Sequence, residues 1–304
     1  MSKTKKYNKL FGGLLIHSLI LSFSPLLFRA WTDDLNIVLT LATLAAFVPI
    51  FLSMGKQEFL KQLTEKREKV NPIMLILLLL APMGTNIIGA MLGIGMNKLL
   101  ALAGLSITQT GAEMAKEVAE SPGFFLALYT CLIAPVFEEF AFRNNLLRGM
   151  EKPRPWLAVI LSGVMFALMH GNLEQSVSLI ATAIFFSYLA KRYSMWVPIV
   201  AHIANNTIFY IFSAFKPAAG SLLDTVNNII TFGGIIAFIV VLISAIRYII
   251  KDIRGAKIAD PNSAQESEQI SIDTQKKPAY VKNIFFILYF VYWLAMIVLN
   301  DFVL

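Results

Sequence analysis

Long, unbroken runs of apolar residues recur from one end of the chain to the other, and they leave few folds open. A run of about 18 or more such residues is what an α-helix needs to cross the ~30 Å hydrocarbon layer of a bilayer. Nine segments read this way: 10–28, 35–54, 72–92, 124–147, 156–173, 175–190, 195–212, 229–250 and 284–299. The fifth and sixth are short, so one of them is expected to tilt or to stop below the surface. Charged residues make up 15% of the chain and hydrophobic ones 57%, against about 25% charged in soluble domains. The fold class is therefore all-α, a polytopic transmembrane helix bundle of eight or nine spans.

The net charge of +7 does not point to nucleic acid, because the basic residues sit in the gaps between apolar runs. With the N-terminus in the cytoplasm, alternating spans place 22 of the 26 Lys and Arg on the cytoplasmic side. Arg29, Lys98, Lys116 and Lys216 fall opposite. Such asymmetry sets orientation, so the expected topology is N-in and C-out. Lys3, Lys5, Lys6 and Lys9 before the first run resemble a signal peptide, but no small-residue cleavage site follows. That run is read as a retained anchor. Residues 56–70 read as a charged surface helix, solvated or headgroup-bound, and residues 252–283 as a polar flexible loop. The single cysteine, Cys131, forms no internal disulfide, leaves the redox compartment undetermined and reads as a small core residue.

Ionisable groups inside spans are costly, about 2.5–3.5 kcal/mol each on insertion scales, and so have a partner or a task. Glu138, Glu139 and Arg143 lie in the fourth span, His170 at the end of the fifth, and His202 with Asn206 in the seventh. Glu139 and Arg143 are spaced i,i+4 and share a helix face, whereas Glu138 is turned about 100° away. At 1.5 Å per residue, Glu138 lies about 13 Å, His202 about 10 Å, Asn206 about 16 Å and His170 about 21 Å from their helix ends on the basic side. Four polar groups from three helices thus share one slab near mid-membrane. For the Glu–Glu–Arg set the bland reading is an ion-pair network that fixes packing. One arginine does not neutralise two buried glutamates, which favours chemistry. His17 lacks a spaced partner and reads as packing, as does Phe166. Asn205 is the stand-in for Asn206. Gly89, Gly93 and Gly95 read as places where helices approach closely.

The segments Glu138-Glu139-x-x-x-Arg143, Phe166-x-x-x-His170 and His202-x-x-x-Asn206, each on its own apolar helix, resemble the CPBP family of intramembrane proteases. That family includes the CAAX prenyl endopeptidases and bacterial proteins of bacteriocin processing and self-immunity. The likeness covers about residues 122–215. It divides the chain into N-terminal helices with a charged segment (1–121), a catalytic helical core (122–215) and C-terminal helices with a polar loop (216–304). It implies peptide-bond hydrolysis in a bacterial cell membrane, on a lipidated or hydrophobic peptide. Glu138 would be the general base, His170 would hold the same water, and His202 with Asn206 would stabilise the oxyanion. Glu139 and Arg143 would form the pair that orients the segment. A metal-dependent version stays open, with Glu138, His170 and His202 as zinc ligands; the metal-free version is preferred because Asn206 suits an oxyanion hole. HExxH, GxSG and GxGD segments are absent. The competing functions are a non-catalytic immunity or regulatory protein and a proton-coupled transporter. The latter lacks the repeated, broken spans such folds use.

Overall fold

The computed structural model describes residues 2–105, 107, 116, 120, 122–152, 154–258 and 278–302. Ten helices carry the architecture: α1 (Lys3–Phe28), α2 (Leu35–Met54), α3 (Lys56–Leu63), α4 (Pro72–Leu102), α5 (Phe124–Met150), α6 (Pro155–Leu168), α7 (Leu173–Arg192), α8 (Trp196–Phe215), α9 (Leu222–Ile258) and α10 (Ile284–Phe302). Eight are long and apolar enough to cross a membrane: α1, α2, α4, α5, α7, α8, α9 and α10. The protein is a multi-pass all-α membrane bundle. Among the described residues, the only strand-like pairing is an isolated bridge between Glu68 and Tyr193.

The expected fifth span is the one that stops short. Its helix, α6, has 14 residues, about 21 Å against a ~30 Å core. A turn with Gly171 at φ 70° ends it and α7 leads back. Non-helical backbone at such depth survives only where protein satisfies it, and here α10 supplies the partners. Asp301 accepts from the Leu173 N–H at 2.7 Å, and the Asn300 amide donates to the Gly171 carbonyl at 2.8 Å. Trp293 closes against Gly171 and donates to Ser18 on α1.

The segment expected as a surface helix over 56–70 is helical only to Leu63. Beyond Thr64 it runs as a strap fixed by charge. Arg67 pairs with Glu151 at 3.0 Å and donates to the Lys191 carbonyl. Arg192 pairs with Glu68 at 2.7 Å, and Arg148 lies 3.4 Å from Glu65. The Arg192 guanidinium holds the Glu68 carboxyl below its ordinary range, while burial pushes Glu151 up. The strap ties the ends of α5 and α7 together while Glu65, Lys66, Glu68 and Lys69 stay exposed, as expected of a surface segment. Most of the expected loop at 252–283 falls outside the described residues; α9 runs on to Ile258, and Tyr280 is buried beside Tyr7.

Close approach of α4 to α7 depends on two of the three glycines singled out. A Cβ on Gly89 would sit 1.8 Å from the Ser178 carbonyl oxygen, and one on Gly93 2.4 Å from the Ser178 hydroxyl. Gly95, expected to act likewise, faces open space, because it is turned off the α7-facing stripe. Gly89→Val is therefore expected to cost more than the ~1–3 kcal/mol of ordinary overpacking, since backbone is what it strikes. The yield of monodisperse protein in detergent checks this; Gly95→Val should leave it unchanged.

Candidate active site

α5 is where the local sequence departs from a regular helix. Pro135 has no N–H to give and its ring crowds the carbonyl of the preceding turn. The helix widens into a π-helical turn at Tyr129–Ile133 just before it, and again at Phe140–Leu147. Between the two lie Glu138 and Glu139, and their side chains diverge. Glu139 is fully buried, whereas Glu138 retains 22% of its side-chain surface.

Glu139 makes two contacts through one oxygen. Its Oε1 lies 3.0 Å from Arg143 Nη1, an ion pair not aligned as a hydrogen bond, and accepts from His202 Nδ1 at 2.9 Å. The expected pairing with Arg143 is present; the reach across to α8 was not legible, because spacing within one helix says nothing about its neighbours. Arg143, fully buried, donates to the Ala183 carbonyl at 3.0 Å and lies 4.4 Å above the Phe166 ring. Phe166 packs, as expected, but on reactive groups: its ring also stands edge-on to His170 and His202. Phe186 stacks on His202 at 4.8 Å. That imidazole is thus held on its face by one aromatic ring and on one nitrogen by a carboxylate. Its other nitrogen, Nε2, points at Glu138 Oε2, 3.7 Å away.

Glu138, His170, His202 and Asn206 all line one cavity of about 230 Å³ between α5, α6, α7 and α8. The expected convergence is thereby found in space. His170 Nδ1 faces the Phe166 and Ala167 carbonyls at 3.2 and 3.3 Å. Carbonyls only accept, so Nδ1 carries the proton and Nε2 presents a lone pair. Asn206 donates to the Thr130 carbonyl at 3.0 Å, leaving its second amide hydrogen unused by that bond. Cys131 is half-buried beside the site, its thiol directed at the Asn206 carbonyl. Asn86, Thr182 and Asn205 join Asn206 in a hydrogen-bonded chain that sequence reading had not assembled. An Asn three residues before Gly89 on α4 was the available signal. His17 lies apart: its Nδ1 is 2.8 Å from the Ala46 carbonyl and its ring rests on Phe142, the packing role expected.

The zinc alternative asks for three convergent donors and an open position. Among the described residues, no three His, Cys, Asp or Glu side chains are grouped so as to hold a metal ion. Glu138 and His202 face one another, and His170 lines the same cavity without completing a ligand set. The residues do not fit that group.

Residues 120–208 match the family model described as Type II CAAX prenyl endopeptidase Rce1-like. The match bears out the resemblance read from the three motifs. The chain is 28% identical over 99 residues to "Putative membrane peptidase YdiL" of Bacillus subtilis (strain 168), covering 32% of this chain and 40% of that protein. It is 35% identical over 97 residues to "UPF0177 protein YbdI" of Lactococcus lactis subsp. lactis (strain IL1403), covering 30% and 50%. The chain therefore spans half or less of the length of these curated relatives. No solved structure matches.

Proposed function

We propose, for a chain whose residues 120–208 carry the Rce1-like segment of the CPBP proteases, that it is an intramembrane endopeptidase working through a glutamate-activated water. The observation that carries this reading is Glu138 facing a cavity it shares with His170, His202 and Asn206, while Glu139 braces His202 from behind. A water in that cavity has two acceptors for its hydrogens, the Glu138 carboxylate and His170 Nε2. Glu138 takes one proton as the water oxygen bonds to the scissile carbonyl carbon. The oxygen that becomes negative is met by the second N–H of Asn206 and, with the His202 ring doubly protonated between Glu139 and Glu138, by its Nε2–H. Collapse breaks the C–N bond, and Glu138 returns its proton to the leaving amine.

The substrate class proposed is a peptide or protein tail held at the membrane: a lipidated CAAX-type tail, or a bacteriocin or pheromone precursor. The setting proposed is a bacterial cell membrane, given the bacterial relatives. Purified protein is tested against a panel of farnesylated CAAX peptides and hydrophobic leader peptides. Cleavage at a defined bond supports the reading; no cleavage of any member, by protein that still binds them, favours a non-catalytic membrane partner.

Two further expectations accompany this reading. Activity should survive exhaustive chelation, and metal analysis should find no stoichiometric zinc. Loss on chelation restored by Zn²⁺ alone would return Glu138, His170 and His202 to ligand roles. The N-in topology, proposed from the basic-residue asymmetry, is checked in a Cys131→Ala background. Ser263→Cys should label only from the cytoplasmic side and Ala218→Cys only from outside; the reverse pattern in both would invert the molecule.

A further inference from the structure

Asn86 belongs to α4, outside the segment that matches the protease family. Its amide sits in the middle of a directed chain. Thr182 donates to Asn86 Oδ1 at 2.9 Å, Asn86 Nδ2 to Asn205 Oδ1 at 2.8 Å, and Asn205 Nδ2 to Asn206 Oδ1 at 3.2 Å. Asn206 Nδ2 ends the chain on the Thr130 carbonyl at 3.0 Å. One end fixes the direction of every bond. A backbone carbonyl only accepts, so Asn206 must turn its NH2 to Thr130 and its oxygen to Asn205. Asn205 must then donate, and its own oxygen requires a donor, which only the amide of Asn86 supplies in this chain. Thr182, whose hydroxyl rotates, closes the far end against Thr85 at 2.8 Å. The contact of Ser178 with Gly89 and Gly93, one turn and two turns along α4, is what brings Asn86 within reach.

We propose that Asn86 is a positioning residue of the peptidase site: acting through Asn205, it holds the amide of Asn206 in the one orientation that aims its remaining N–H into the cavity. The inference rests on the reading of Asn206 as an oxyanion donor. Its consequence is that the α4 helix, with no residue of the three motifs, governs transition-state stabilisation. Bonds linked in this way also polarise one another, which strengthens the donor that faces substrate.

Asn86→Asp tests this without a change of size. The carboxylate still accepts from Thr182 but offers Asn205 no donor, so two oxygens confront each other and the chain reverses or breaks. With a quenched fluorogenic farnesylated CAAX peptide as probe, Asn206→Ala is expected to lose on the order of 10²–10³ in kcat, the scale of one oxyanion donor. Asn86→Asp should lose about tenfold or more in kcat with KM within about twofold, because the interaction is made in the transition state. In the Asn206→Ala background, Asn86→Asp should add less than about twofold, since groups acting as one unit are not additive. Asn86→Gln, which keeps both donor and acceptor, should recover part of the rate. Full additivity, or a change in KM with kcat intact, overturns the proposal; so does an Asn206→Ala variant as active as wild type. A second readout needs no turnover. In ¹⁵N-asparagine-labelled protein, the side-chain amide signal that disappears in Asn206→Ala should shift in Asn86→Asp and stay put in Asn71→Asp. An unmoved signal overturns the proposal even if the peptide is not cleaved. Undiminished cleavage by Glu138→Gln would instead remove Glu138 as the base and with it the proposed glutamate mechanism, and the amide signal would still decide whether Asn86 orients Asn206.

Discussion

Glu138→Gln is expected to abolish peptide cleavage while expression, melting temperature and peptide binding stay near wild type. Gln preserves the shape and hydrogen-bonding capacity of the side chain but not its ability to take a proton from water. Folding should not depend on the charge, because Glu138 keeps a partly open side chain and its contact with His202 is a loose 3.7 Å. In kinetic terms kcat and kcat/KM should fall together, the signature of an interaction made only in the transition state. His170→Ala should resemble it, since it removes the second acceptor for the same water. Full cleavage by Glu138→Gln, at matched protein level in the membrane, would leave the cluster with a packing or binding role.

Glu139→Gln should behave in the opposite way, losing stability first. It strands Arg143, fully buried, beside a neutral partner and takes the carboxylate from His202 Nδ1. Breaking a buried pair from one side costs about 3–5 kcal/mol. The melting temperature in detergent should fall clearly and activity with it. The double variant Glu139→Gln/Arg143→Met separates the two roles. It removes the stranded charge and retains an apolar side chain against Phe166 and Phe186. Much of the stability should return while cleavage does not, because His202 has still lost its brace. Recovery of both would reduce Glu139 to an ion-pair partner.

Which parts of this were legible in the sequence follows the range of the interactions. Apolar run length placed most of the helices and marked the fifth and sixth segments as short, without separating α6, which stops, from α7, which is long enough to cross. The end of α6 was misjudged because the turn at Gly171 is fastened in part by Asn300 and Asp301, about 130 positions away. The strap beyond Leu63 read as helix because its charges suit a helix face; their partners, Glu151 and Arg192, lie on distant elements. Within the site, i,i+4 spacing found Glu139 with Arg143 and placed His202 with Asn206. It was silent on the bond from Glu139 to His202, on the ring of Phe186 and on Asn86, all of which depend on how helices meet.

The turn that carries His170 is fastened by the last helix of the bundle, and that helix is in turn pinned to the first through Trp293 and Ser18. The stretch that similarity delimits, residues 120–208, is for this reason not a portable cassette. Excised, or grafted between the spans of another bundle, it would keep every motif residue and lose the fastening of the loop that presents one of them. The smallest unit that can be transplanted with its geometry intact includes α1 and α10, so in this protein the boundary of shared ancestry and the boundary of mechanical integrity do not coincide.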